Sequence, residues 1–278
     1  MIQVERHFHS GNPEIVRLCQ VSKVLYNRCN FHMRQAYAAN QNLDVRPPLP
    51  DISDLIRLVE NEDCFKNLHN TKTAKQTIRR CLTDWSNYFK ALKAYKKSPE
   101  SFLSKPKQPY YKNKMAQVIF YNETIKKKPL KQGVITPTNE CFSIPSTKPF
   151  KQVVITPKTF GFVIEVSYEV TPQQHRSDKL DKKKVCCIDI GLNTLAAIAS
   201  DQHQPILING RILKSINQWY NKNPSKKRSR KRYWRMENYF HHASNFIITN
   251  CLKYGIGKII IGKNDGWKQE MILPNDDP

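Results

Sequence analysis

The sequence predicts an α+β multidomain chain: an N-terminal helical part plus a small antiparallel β-barrel, followed by a partial α/β domain. Three observations predict it. Two long segments carry apolar residues at helical spacing. A middle stretch holds short β-like runs separated by Pro, Thr, Asn and Lys. A last stretch reads strand, strand, helix, helix, strand after a polar break. At 278 residues the chain is long enough for two compact domains of ~100 to 200 residues each.

The first helix is expected over 14–37, where Ile15, Leu18, Ser22, Leu25, Cys29, Met33 and Ala36 share a stripe and Arg17, Lys23, Arg28 and Arg34 lie mostly off it. VRPPLP at 45–50 then ends any helix, because each proline lacks an amide donor. A second helix is expected over 72–95, with Ala74, Ile78, Leu82, Trp85, Phe89 and Leu92 inward and Lys75, Arg79, Arg80, Lys90 and Lys93 around them. These basic residues suit either a solvated bundle face or nucleic-acid contact. The helical part is thus 1–104, with a candidate first barrel strand at 1–9.

Residues 105–174 form the β part. It opens with KPKQPYYKNK (105–114), whose two prolines exclude a helix and whose Lys105, Lys107, Lys112 and Lys114 interleave with two tyrosines, a composition suited to a phosphate backbone. QVIFY (117–121), GVIT (133–136), QVVIT (152–156) and FVIEVSYEV (162–170) follow as strands of an antiparallel sheet or small barrel. The polar segment 175–184 reads as a linker. Within 185–278, VCCIDI, a GLN turn and TLAAIAS read as a β-hairpin. LINGRILKSINQWYNK (207–222) supplies a turn leading into a helix, and the basic cluster KKRSRKRYWR follows at 226–235. A helix over 236–253 buries Met236, Phe240, Ala243, Ile247 and Cys251 and stops at Gly255, and KIIIG (258–262) is expected to be a buried strand.

Charge selects the partner class. With 46 Lys and Arg against 23 Asp and Glu, the net charge of +23 repels itself unless a polyanion is near. Together with 10% aromatic residues it points to nucleic acid. Candidate contacts are the four lysines of 105–114, Arg211 and Lys214 on the helix after the hairpin, and Lys226, Lys227, Arg228, Arg230, Lys231, Arg232, Trp234 and Arg235 in the cluster. Trp219 and Trp267 suit base stacking or partial core burial equally. No run of about 20 apolar residues predicts a membrane span, and MIQVERHFHS lacks the apolar core of a signal peptide, so a cytoplasmic protein is expected. Eight cysteines contain no C-x-x-C pair, so no zinc ribbon is expected, and Cys186 and Cys187 read as small buried thiols. His241 and His242 are adjacent on a helix, about 100° apart, and cannot both face one metal. No P-loop, dinucleotide-binding glycine pattern or serine-nucleophile elbow is present, which excludes support for nucleotide hydrolysis, hydride transfer and acyl chemistry.

One acid stands out. Asp189 ends an apolar strand and precedes a glycine turn, a place that suits either a local hairpin role or a metal ligand. The order of CCIDIGLNTLAAIAS, GRILKSINQWYNK, KKRSRKRYWR and NYFHHASNFIITNCLKYGIGKIIIGKNDGWKQE resembles TnpB proteins, the transposon-encoded, transposase-class family of RNA-guided nucleases. The resemblance is specific over 186–270. The stretch 105–114 also resembles the family's lysine-proline-tyrosine segment.

The resemblance implies an RNase H-like (RuvC-like) domain over 185–278, partners in DNA and a guide RNA, and magnesium-dependent cleavage by three acids. Asp189 matches the first acid and metal ligand. Where many relatives carry a glutamate, this chain has Gly262. Glu270 is either a relocated catalytic ligand or a surface charge. The third acid and the family's zinc ribbon would lie past 270, so a C-terminally truncated or frameshifted copy with an incomplete catalytic site is expected. The alternatives are a nuclease-dead DNA/RNA-binding regulator and a degraded transposase fragment.

Overall fold

In the computed structural model, residues 2–42, 47–125, 127–138, 142–146, 149–169 and 180–262 are described. The chain divides into two compact units, Met1–Val170 and Thr171–Pro278. No described helix is long and apolar enough to cross a membrane.

The first unit packs helices α1 (Pro13–Ala39), α2 (Ile52–Val59), α3 (Asp63–Lys66), α4 (Thr71–Lys97) and α5 (Lys127–Lys131) with strands β1 (Ile2–His9), β2 (Val118–Tyr121), β5 (Phe150–Lys158) and β6 (Gly161–Glu169). A separate pair, β3 (Val134–Ile135) and β4 (Ile144–Pro145), is antiparallel. Helix α1 starts where the chain supplies a cap: Asn12 Oδ1 accepts from the Ile15 amide at 2.9 Å, and Pro13 occupies the first turn, where its missing N–H has no partner to lose. The predicted stripes hold. Ile15, Leu18, Leu25 and Cys29 on α1 and Ala74, Ile78 and Cys81 on α4 are fully buried, each large aliphatic contributing about 1.5–3 kcal/mol. They join Val118, Phe120, Val153 and Ile155 of the sheet in one core.

The sheet order is β1-β6-β5-β2, antiparallel throughout. This corrects the barrel: among the described residues β1 and β2 remain edge strands, so the sheet is open. Residues 2–9 are a strand of this sheet, paired from Ile2↔Glu169 to His9↔Phe162. Helices α2 and α3 had no predicted counterpart.

The second unit holds β7 (Asp181–Ile190), β8 (Thr194–Ser200), β9 (Ile206–Asn209) and β10 (Ile256–Ile261), with helices here numbered α6 (Arg211–Lys222) and α7 (Lys226–Tyr254). The order is β10-β7-β8-β9. The predicted hairpin is present as β7 and β8, with Asp189 opposite Ala197. Strand β10 lies parallel to β7, an arrangement that needs a long crossover, and α6 and α7 lie in the chain between them.

Several expectations change. Asp181–Lys184, read as linker, begin β7. Residues 206–209, read partly as a turn, are strand β9. The cluster 226–235 is not a prelude to a helix but its first turns, continuous to Tyr254. Gly255 stops α7 with φ of 68°, and its amide donates back to the carbonyls of Cys251 and Leu252.

Among the described residues it is the end of α7 that packs into the core of this sheet. Cys251 is buried and Ile247 and Tyr254 pack on it, while Phe240 stays 44% exposed. Alternation along β7 buries Cys186 but exposes Cys187, correcting the pair of buried thiols. Burial and the neighbouring Cys251 push the Cys186 thiol up to about 11, so it stays protonated and inert at neutral pH. KIIIG is likewise not a buried strand: Ile259, Ile260 and Ile261 are 37, 44 and 56% exposed, and among the described residues β10 is an edge strand.

Candidate nucleic-acid interface

The strongest basic feature is the start of α7. Ser225 caps it, its Oγ accepting from the Arg228 amide at 3.2 Å. Seven of the first ten residues are basic and the first turn has no acid. Helix dipoles place partial positive charge at this end, so each cation in the first turn opposes the helix by about 0.3–1 kcal/mol.

Aromatic residues of α6 hold part of that charge. The guanidiniums of Arg228 and Arg235 lie 5.4 and 5.2 Å from the Trp219 ring, and that of Arg232 lies 5.2 Å from the Tyr220 ring. Arg232 also donates to Asn217 Oδ1 at 2.6 Å, and Arg228 to the Asn223 carbonyl at 3.1 Å. These three arginines tie α7 to α6. Lys226, Lys227, Arg230 and Lys231 are exposed. Trp234 is half-buried, edge-on to Tyr233 at 5.1 Å. His241 and His242 are exposed, with His241 4.0 Å from Glu237.

Arg211 and Lys214 sit near the hairpin turn. Lys214 Nζ donates to Asn193 Oδ1 at 2.6 Å, and the Gly210 amide donates to the Asn193 carbonyl at 2.7 Å. A Cβ at Gly210 would stand 2.3 Å from the Leu192 carbonyl oxygen, so only glycine allows this docking. Arg211 is exposed and borders a shallow cleft of about 260 Å³ with Asn193, Thr194, Leu207 and Asn209.

Asp189 is exposed near the end of β7. Its neighbour across the parallel pair is Gly262, whose amide donates to the Ile188 carbonyl at 2.8 Å. A Cβ on Gly262 would lie 3.6 Å from Asp189 Oδ1. The position beside the carboxylate is therefore filled by the one residue type without a side chain. Among the described residues no group of three or more His, Cys, Asp or Glu could hold a metal. One exposed carboxylate does not make the shared-carboxylate cradle that two-metal phosphodiester hydrolysis needs, so the described donors do not fit magnesium. Glu270 and Trp267 lie outside the described residues.

The segment 105–114 is held by side chains along α1. Asn30 Nδ2 and the Arg34 guanidinium donate to the Pro109 carbonyl at 3.0 and 2.8 Å. Asn27 pairs with Lys112 twice, donating to its carbonyl at 2.9 Å and accepting from its amide at 2.7 Å. The Ala116 amide then reaches the Cys19 carbonyl at 3.1 Å. The two lengths agree: Arg34 to Cys19 spans about 22 Å of helix axis, and Pro109 to Ala116 about 23 Å of extended chain. The segment runs antiparallel to α1.

This arrangement separates its lysines. Lys112 turns inward, its Nζ 3.8 Å from the Tyr26 ring centre and 3.6 Å from Asp84 Oδ2. Tyr26 donates to the same carboxylate at 2.6 Å, and its burial and then that bond hold its pKa far above the ordinary value. Lys112 thus has a structural partner in Asp84. Lys105, Lys107 and Lys114 are exposed.

The sequence pointed to a basic α4 but not to the cleft on it. Lys72, Lys75, Gln76 and Arg79 line a space of about 400 Å³ with Tyr121 and Glu123 from the end of β2 and the turn after it, and Lys72 pairs with Glu123. The spacing Lys72, Lys75, Arg79 puts all three on one helical face, a signal the sequence did contain.

No family model and no curated protein matches the chain. Among solved structures, a cryo-EM structure of a Cas12f1–sgRNA–target DNA complex aligns with a TM-score of 0.45 at 11% identity, over 92% of this chain and 66% of that one. A cryo-EM structure of a CRISPR-Cas12f ternary complex aligns with a TM-score of 0.30 at 12% identity, over 95% and 66%. The chain spans just under two thirds of the length of both. Likeness at this level fixes no activity for this chain.

Proposed function

We propose that this chain is a transposon-associated, TnpB-like nucleic-acid-binding protein that holds DNA and a guide RNA, and that it descends from a magnesium-dependent RNA-guided endonuclease whose catalytic site is incomplete here. The observation that carries the binding is the start of α7. Seven basic residues stand at the positive end of a helix, with no acid in the first turn. In the first turn that placement works against the helix, and an anion beside it offsets the cost. A polyanion neutralises it, and the counterions released on binding supply the driving force.

Replacing Lys226, Lys227, Arg230 and Lys231 with Gln tests this. Wild-type affinity for guide RNA and for DNA duplex should fall steeply with salt, and the variant should lose about one unit of log-log slope per phosphate contact removed. Affinity insensitive to salt overturns the proposal.

Gly262 beside Asp189 favours binding without cutting, which is the nuclease-dead regulator. Magnesium-dependent cleavage that disappears in Asp189→Ala would overturn that second reading, and with it the incompleteness of the site, while leaving the nucleic-acid binding intact.

A further inference from the structure

We infer that Tyr110 and Tyr111 form a stacking platform for unpaired bases on the first unit, flanked by phosphate-binding lysines. The inference rests on the nucleic-acid reading above and adds to it the form of the partner, an unpaired strand.

Two adjacent rings are left outside the core, Tyr110 67% and Tyr111 47% exposed. They stand on a segment that is not free to fold them in, because the backbone on either side is fixed. Pro109 is bound by Asn30 and Arg34, and Lys112 by both faces of the Asn27 amide. Asn30 is itself fully buried and accepts from the Trp85 indole at 2.9 Å, so the clamp is anchored in the core. Exposed rings on fixed backbone lose little conformational entropy when a ligand stacks on them.

The charges nearby favour a strand over a protein partner. Segment 105–114 contains no acid, and Lys105, Lys107 and Lys114 are exposed around the tyrosines. The Arg34 guanidinium lies 5.0 Å from the Tyr111 ring, beside the same clamp. Exposed cations beside exposed aromatic rings suit an unpaired strand, where bases are available to stack; in a duplex they are already stacked on each other. Unpaired RNA and unpaired DNA share this chemistry.

The test uses the full chain and fluorescence anisotropy with three probes: oligouridine, oligodeoxythymidine of the same length, and a matching duplex. In the Tyr110→Leu/Tyr111→Leu variant, affinity for the unpaired probes should fall about tenfold, in line with stacking free energies, with the duplex unchanged. Tyr110→Phe/Tyr111→Phe keeps the rings and should bind as wild type. A loss confined to oligouridine assigns the platform to RNA, and an equal loss with both unpaired probes assigns it to either sugar. Unchanged affinity in the leucine variant, or an equal loss for strand and duplex, overturns the inference while leaving the broader reading standing. A wild-type chain that binds none of the three overturns both. Capture of a protein with no effect on the oligonucleotides also overturns it.

Discussion

The two units bury very different amounts of apolar surface. Among the described residues, the first joins 28 buried residues from α1 to β6 in one core, whereas the second has six, drawn from β7, β8, the end of α7 and the start of β10. The first therefore fixes even its irregular segments from below. The second leaves Leu207, Phe240, Phe246 and Ile259, Ile260 and Ile261 of β10 exposed, and its basic helix depends on Trp219 and Tyr220. A deep core lets surface residues be placed for a partner without weakening the fold; a shallow one makes the same residues carry structure and contact together.

The comparison can be broken most directly at Trp85. It is buried, bonded to Asn30, and packed among Tyr37, Tyr88 and Phe89 with ring centres 5.6–5.8 Å away. Trp85→Ala should remove about 3–5 kcal/mol from the first unit in denaturant titration. A loss under 1 kcal/mol would show that its core is not the source of its order. Next, Gly210→Ala should destabilise the second unit by about 1–3 kcal/mol, since a Cβ there meets the Leu192 carbonyl. Faster amide exchange in β7 and β8 is the readout, and unchanged protection would sink the docking.

Gly262→Glu sharpens the account of the open site, because it adds a carboxylate next to Asp189. Calorimetry should show magnesium affinity rising about tenfold over wild type and returning to the wild-type value when Asp189→Asn is added. No gain would mean that the two positions do not converge on one ion.

The smallest effect concerns acid. Arg28 donates to Glu62 at 2.8 Å and holds that carboxyl below its usual pKa. A depressed carboxylate stabilises the fold above its unfolded value of about 4.3, and that contribution is lost as pH falls through the folded value. The pair is partly exposed, so Glu62→Gln should flatten the acid limb of stability by no more than about 1 kcal/mol. A steeper acid limb in the variant would contradict the sign.

Local patterns made much of this legible. The stripes of α1 and α4, the strands β5 and β6, the Asp189 hairpin and the Gly255 stop all follow from residues within a few positions of each other. Helix α2 carries a local signal as well, since Asp51 and Asp54 cap it reciprocally. What was not legible depends on tertiary neighbours. KIIIG looks like a buried strand, and only its place at the sheet edge exposes it. Lys112 and Lys114 look equivalent in sequence, yet Asp84 and Tyr26 claim the first. Arg228, Arg232 and Arg235 are indistinguishable from their neighbours until Trp219 and Tyr220 are folded against them. The candidate catalytic centre was legible only as Asp189.

The two hydrogen bonds between Asn27 and Lys112 reproduce, with a side-chain amide, the pairing that one peptide makes with another in a sheet. Their effect is to measure length. A residue inserted between Pro109 and Lys112 would either drag the lysine off Asp84 or loop out where Tyr110 and Tyr111 stand. Composition alone would tolerate such a change, since the segment would remain basic and aromatic. The spacing between clamps, rather than the count of lysines, is the quantity that mutation in this segment has to preserve.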